Sequence, residues 1–317
     1  MTETSRSRFG LLLVLAATTL GLAAAPSVAS ACSICRCGDP TFNALGKEGF
    51  SARGFRAALD WERFDKEEGD PTVESEVQVE NRFTALASYG FGDRLMVFAR
   101  VPYSARDLTT TVPGDEPEIV HTQGFSDPEL YGQLRLWASP FNPKVGRRAS
   151  LSLVAGAKTP WGENDVRQDG VRVDEHAQPG TGSTDALGSL ALLYLIDRQS
   201  ALFVSSAYRH TGTNAFGYRY GSSFLGNVAF EHKLGRRLDG VVELNFRQAA
   251  KDQVDASGAL DDDTGGSLLY LTPRLLVNLG SGLVLRAAAQ MPIVRDLNGY
   301  QKEKVVVNVG VTYLFSH

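Results

Sequence analysis

Lys304-Val305-Val306-Val307-Asn308-Val309-Gly310-Val311-Thr312-Tyr313-Leu314-Phe315 runs to within two residues of the end of the chain. Side chains of an extended strand alternate sides, so Val305, Val307, Val309, Val311, Tyr313 and Phe315 share one face. Val306, Asn308, Gly310, Thr312 and Leu314 share the other. The first face is wholly apolar and the second holds an amide, a glycine and a hydroxyl. A strand of this length with one fully apolar face suits a sheet whose outer side meets hydrocarbon.

The same alternation recurs upstream. Leu283, Leu285, Ala287, Ala289, Met291 and Ile293 oppose Arg286 and Gln290, and Leu269, Leu271, Leu275 and Val277 oppose Thr272, Arg274 and Asn278. Leu95, Val97, Ala99, Val101 and Tyr103 oppose Arg94 and Arg100; Val77, Val79, Phe83, Ala85 and Tyr89 oppose Glu76, Gln78, Glu80 and Arg82. About twelve such strands are predicted, over 53–64, 74–90, 94–107, 125–138, 149–159, 185–196, 201–212, 221–233, 238–250, 267–279, 283–295 and 304–315. Short turns near Gly92-Asp93, Pro140 to Gly146, Asp197-Arg198, Gly235-Arg236 and Gly280-Ser281-Gly282 alternate with long polar connections at 108–124, 160–184, 213–220, 251–266 and 296–303. This rhythm is that of an all-β, antiparallel transmembrane barrel with short periplasmic turns, long extracellular loops and both termini periplasmic. A water-soluble sandwich also alternates, but its strands average about 5–6 residues. Tyr89, Tyr103, Trp137, Tyr194, Tyr208, Tyr313 and Phe315 near strand ends read as interfacial girdles.

Composition agrees. The chain has 317 residues, 43% hydrophobic and 21% charged, with a formal net charge of −4 and 32 glycines, which excludes a disordered, collagen-like or strongly basic nucleic-acid-binding protein. Beyond the N-terminus no apolar run reaches the roughly 18–20 residues of a spanning helix.

Arg6 and Arg8 ahead of the apolar run Leu11 to Ala25, with Ala29-Ser30-Ala31 behind it, have the layout of a secretory signal peptide, 1–31. Residues 32–52 then form a cysteine-bearing periplasmic segment or plug, and 53–317 the barrel. All three cysteines, Cys32, Cys35 and Cys37, lie directly after the cleavage point. A disulfide, a soft metal such as Cu(I) or Zn²⁺, a redox partner and lipidation at Cys32 all remain open for them. Arg36 stands where c-type haem attachment needs His. No cofactor is required by the rest of the chain.

With the apolar face on lipid, the opposite face lines the lumen. It carries Glu80, Arg82, Arg94, Arg100, Glu129, Arg135, Arg247, Arg274 and Arg286, together with Asp60, Glu62, Lys158, Arg209, Glu231 and Glu243. In a narrow bore these charges either pair and merely solvate the interior or form a selective path for small charged or polar solutes. The histidines are scattered, there is no HExxH and no phosphate-cradling glycine loop, so an enzyme is not expected. Asn308, Gly310, Tyr313 and Phe315 are similar to the terminal signal read by the barrel-assembly machinery.

Gly124-Phe125-Ser126-Asp127-Pro128-Glu129-Leu130-Tyr131-Gly132-Gln133-Leu134-Arg135-Leu136 resembles the Gly-x-Gly-Asp strand opening of a family of outer-membrane proteins linked to the meta-pathway of phenol degradation, with Ser126 in place of the second glycine. Arg100-Val101-Pro102-Tyr103 and Lys158-Thr159-Pro160-Trp161-Gly162 are similar to that family's strand ends. The resemblance implies outer-membrane transport of small, hydrophobic or aromatic molecules, with a distant likeness to fatty-acid transporters. Three readings follow: a channel, a plugged barrel that anchors the Cys32 to Cys37 segment for a soft metal or redox partner, and a surface adhesion barrel working through its long loops.

Overall fold

The computed structural model of the protein describes residues 54–255 and 257–315. The expected leader 1–31 and the cysteine segment 32–52 lie outside the described residues. Among the described residues there are sixteen strands: β1 (Gly54–Glu68), β2 (Ser75–Phe91), β3 (Leu95–Thr111), β4 (Glu118–Phe125), β5 (Glu129–Ala138), β6 (Arg148–Lys158), β7 (Arg167–Gln168), β8 (Val171–Arg172), β9 (Asp185–Leu195), β10 (Ser200–His210), β11 (Ser223–Lys233), β12 (Leu238–Ala249), β13 (Gly266–Gly280), β14 (Leu283–Leu297), β15 (Gln301–Glu303) and β16 (Val306–Phe315).

Every neighbouring pair in the main sheet is antiparallel, and the sheet closes because β1 pairs with β2 on one side and with β16 on the other. Phe55 faces Phe315 across that seam and Trp61 faces Val309. Closure gives twelve staves. It closes the ladder around the barrel, which is what a sheet needs when lipid offers its backbone no hydrogen bonds. Two staves are interrupted. β4 and β5 both pair with β3 and are separated at Ser126-Asp127-Pro128, where Pro128 has no N–H to give to a ladder. β15 and β16 both pair with β1, on either side of Lys304-Val305.

The predicted faces are found. Val305, Val307, Val309, Tyr313 and Phe315 point outward and are exposed, while Val306, Asn308 and Thr312 are buried in the interior. The strand limits agree to within a few residues except at the long-connection end. There β3 continues to Thr111 and β4 begins at Glu118, so most of the expected loop 108–124 is a projecting hairpin. The β-branched runs Thr109-Thr110-Thr111 and Ile119-Val120 favour extension, and Leu108, Thr109 and Thr110 pair with Val120, Ile119 and Glu118. Likewise β14 runs to Leu297, and Gln301–Glu303 pair with β1.

The interior is not uniformly polar, which departs from the expectation of a charged lining. Met96, Phe98, Tyr131, Val154, Leu187, Ala191, Leu193, Phe203 and Val241 also turn inward and pack as one apolar cluster across β3 to β12. Phe98 stacks on Tyr131, with ring centroids 5.1 Å apart. In these strands apolar residues occupy both faces, so alternation alone hides the inward set. Among the described residues no helix is long and apolar enough to cross a membrane.

Candidate functional site: charge rungs beneath an inward-folded connection

Inward carboxylates hold inward guanidinium groups in a series of rungs. Glu80 on β2 accepts from Arg82 Nε at 2.9 Å, from Ser104 Oγ at 2.8 Å and from Arg106 Nε at 2.7 Å. Glu129 on β5 accepts from Arg100 Nη1 at 2.8 Å and lies 3.6 Å from Arg209 Nη2. Glu243 on β12 accepts from Arg274 Nε at 2.7 Å, and Asp60 on β1 from Arg286 Nη2 at 2.8 Å. The last pair crosses Gly310 on β16, where a Cβ would stand 2.0 Å from Asp60 Oδ1. Each cation is therefore paired with a carboxylate, as buried charges must be. Arg247 is buried on β12, opposite Leu225 and Leu268. Arg135 faces inward on β5 beside the register shift at Arg135/Trp137, near Asp93 and Arg148.

Arg94 departs from the expected lumen set. It lies exposed in the turn between β2 and β3, and its carbonyl accepts the Arg135 N–H at 2.8 Å. The Gly92-Asp93 turn extends one residue further than the alternation implies, so Arg94 falls off the strand. Asn308 and Gly310 face the interior, and Tyr313 and Phe315 face outward with rings 4.5 Å apart at the seam. Cys32, Cys35 and Cys37 lie outside the described residues.

The connection between β6 and β9 folds into the barrel. It holds the small hairpin β7–β8 and a 3₁₀ turn at Glu175–Ala177 that is capped by the Asp174 side chain. Residues 175–181 are buried throughout. Arg106 Nη1 donates to His176 O at 2.8 Å and also to Gln178 O, and Thr122 Oγ1 donates to Ala177 O at 2.5 Å. One guanidinium thus bridges the Glu80 rung and the backbone of the inserted turn.

Both ends of this connection are held by Asp127. Its Oδ1 accepts the Gly162 N–H at 2.9 Å, and its Oδ2 accepts from Thr181 N at 2.8 Å, Gly182 N at 3.2 Å and Lys158 Nζ at 3.0 Å. Lys158 also lies 3.2 Å from Asp185 Oδ2 and donates to Thr181 Oγ1. At Gly162 a Cβ would sit 2.6 Å from the Asp127 backbone nitrogen, so no larger residue fits the corner. Two of the three stretches that carried the family resemblance, 124–136 and 158–162, are therefore packed against each other here. Thr159 N–H donates to Pro128 O at 2.8 Å to complete the join.

Two further connections cover the inserted turn. Tyr218 Oη lies 2.8 Å from His176 Nε2 and donates to Asp252 Oδ2 at 2.5 Å, while Tyr220 Oη donates to Glu175 O at 2.7 Å. Burial first, then the charge of Asp252, holds the Tyr218 phenol well above its usual range, so it remains a donor. Asp252 Oδ1 also accepts from Gly221 N at 2.6 Å, which joins the 211–222 and 250–265 connections. Sequence reasoning did not single out Arg106, Thr181, His176, Tyr218 or Asp252. Arg106 had a legible signal, since it shares the parity of Arg100; the loop residues had none.

A family model described as "Putative MetA-pathway of phenol degradation" matches residues 62–293. In structure the chain is similar to an outer-membrane channel of Pseudomonas putida F1, with a TM-score of 0.60 and 13% identity over 84% of this chain and 96% of that one. Weaker likeness extends to the KdgM porin in complex with disordered oligogalacturonate (TM-score 0.45, 11% identity, 82% of this chain and 99% of that one). The CymD monoaromatic hydrocarbon channel gives a TM-score of 0.40 and 9% identity over 84% and 90% of the two chains. The sequence matches no curated protein.

Proposed function

Because this chain belongs to the family of the phenol-degradation MetA pathway, an outer-membrane barrel family, we propose that it is a channel for small amphipathic solutes, with aromatic compounds as the leading class. The observation that carries this reading is the mixed interior: a stacked aromatic and aliphatic cluster around Phe98 and Tyr131 adjoins arginine–carboxylate rungs on the same strands. Phe98 and Arg100, and Tyr131 and Glu129, are two residues apart and share the inward face of their strands. An apolar ring with one polar substituent finds both of its partners on such a wall.

The inserted connection 159–184 lies across this wall from the long-connection end, and in our reading its displacement opens the path. The short turns and both described chain ends lie together at the opposite end, which we assign to the periplasm. The terminal strand, with Tyr313 and Phe315, is the segment we assign to the assembly machinery. Our reading assigns conduction to the barrel, so a soft metal, a disulfide or a lipid at Cys32, Cys35 and Cys37 is treated as independent of it.

Solute flux into proteoliposomes tests the proposal, using sugars, benzoate-like acids and phenols of matched size on the full mature protein. Faster passage of the aromatic solutes, retained when Cys32, Cys35 and Cys37 are all changed to Ser, is the expected result. A barrel closed to every solute, both as it stands and with Asp127→Ala, overturns it.

A further inference from the structure

The outer wall carries a feature that conduction does not use. Around β11, β12, β13, β14 and β16 a groove of about 700 Å³ opens on the lipid-facing side. Small residues lower its floor at Gly240 on β12 and at Ala287 and Ala289 on β14, on either side of Leu275 on β13, and Phe230 and Val307 stand at its margins. The apolar surface dips here because the outward positions that hold Leu or Phe on neighbouring strands hold Gly or Ala. At the short-turn end the groove runs up to Leu234, and a Cβ on Gly240 would stand 3.0 Å from Leu234 Cδ1.

That turn is basic. Lys233, Arg236 and Arg237 are exposed within five residues, with Asp239 opposite Lys233 in the β11–β12 register and Asp197 in the adjoining short turn. The turn is fixed in place: Leu234 N–H donates to Leu238 O at 2.9 Å and Asn278 N–H to Arg237 O at 2.8 Å. Charge is also divided between the two ends of the barrel. The short turns hold Arg94, Lys144, Arg147, Arg198, Arg236 and Arg237 against Asp93 and Asp197. The long connections hold Asp255, Asp261, Asp262 and Asp263 in one stretch against Lys251.

We propose that this groove and the Lys233–Arg237 turn form a binding site for an anionic phospholipid, with its acyl chains in the Gly240 and Ala287–Ala289 dips on either side of Leu275 and the phosphate on the turn cations. Charge complementarity chooses the occupant: the inner leaflet of an outer membrane is phospholipid, and basic residues at a membrane surface favour its anionic members. The site rests on the short-turn end facing that leaflet and not on whether the barrel conducts.

Native mass spectrometry of the full mature protein, released from micelles containing equal dioleoylphosphatidylglycerol and dioleoylphosphatidylcholine, tests it. One phosphatidylglycerol retained in preference by at least about tenfold is expected, with roughly a fivefold contribution from each basic residue at the surface. Changing Lys233, Arg236 and Arg237 together to Gln removes the preference, and Ala287→Leu, which fills the floor, lowers retention of both lipids. A matched control changes Lys144, Arg147 and Arg148 to Gln and leaves the preference intact. Equal retention of the two lipids by the unaltered chain overturns the proposal, as does a preference that survives the turn substitutions or is lost equally in the control. Heat-modifiable migration on gels confirms that each variant is a folded barrel and is independent of any flux assay.

Discussion

Asp127 accepts a hydrogen bond from the backbone N–H of Thr181 at 2.8 Å, although 54 residues separate them. This bond ties the break between β4 and β5 to the far end of the inserted connection, while the other carboxylate oxygen holds Gly162 at the near end. One side chain thus clamps a 26-residue connection, 159–184, at both of its ends.

Asp127→Ala removes the clamp and leaves Lys158 with the Asp185 carboxylate and the Thr181 and Ser183 hydroxyls. A buried pair broken from one side costs about 3–5 kcal/mol, but here much of that is relieved by local release of the connection, because the ladders of β5, β6 and β9 do not depend on it. Hydrogen exchange at Thr181 and Gly182 is expected to rise by at least about tenfold while exchange in β9 and β10 stays slow. Solute flux rises in parallel. Exchange unchanged at Thr181 would show that Arg106 and the tyrosines hold the connection without Asp127.

Gly310 illustrates a second constraint. The Asp60–Arg286 pair occupies the space that a side chain on β16 would need. Gly310→Ala is expected to cost about 1–3 kcal/mol as an overpacking change, read as a lower denaturation midpoint in urea. Gly226→Ala on β11, where the nearest atom lies 3.7 Å away, serves as the tolerant comparison.

These two positions mark what the sequence made legible. The barrel, its twelve staves and the outward face follow from period-2 patterning, because lipid demands an unbroken apolar surface and a closed ladder. The rungs at Glu80, Glu129 and Arg286 were legible as inward charges but not as pairs, since parity assigns a face and says nothing of distance across a bore. Arg94 misled because the turn runs one residue further than the alternation implies and takes it off the strand. The inserted connection left no trace in periodicity: its burial is produced by backbone carbonyls of His176, Ala177 and Gln178 accepting from distant side chains, and any residue type supplies a carbonyl. The family motif around Asp127 drew attention to the right residues without saying what they hold.

The 250–265 connection has a pH dependence that can be checked. Burial holds the Asp261 carboxyl above its usual range, offset in part by the Asp263 N–H it accepts. A carboxyl whose folded pKa is raised stabilises the folded connection fully below its unfolded pKa, and that contribution is lost as pH rises through the folded value. Protection of the Asp263 and Thr264 amides is therefore expected to be greatest below about pH 4 and to decline above it. Asp261→Asn, which stays neutral, flattens the profile. A decline of the same size in that variant would show that Asp261 is not its source.

Glu129 stands between Arg100 and Arg209 with its side chain 1% exposed, and it balances two guanidinium groups with one carboxylate. Glu129→Gln keeps the shape and removes the negative charge, leaving both cations facing the lumen. In a narrow low-dielectric bore an added positive charge raises the local anion concentration and repels cations. The reversal potential across a planar bilayer under a KCl gradient is expected to move toward that of chloride, while Arg209→Gln moves it toward that of potassium. The paired shifts matter more than either one, because a partly unfolded variant loses selectivity without reversing it. If neither substitution moves the potential while both leave conductance intact, the ions pass elsewhere than along the Arg100–Glu129–Arg209 wall. An aromatic acid then has no reason to bind beside Phe98 and Tyr131.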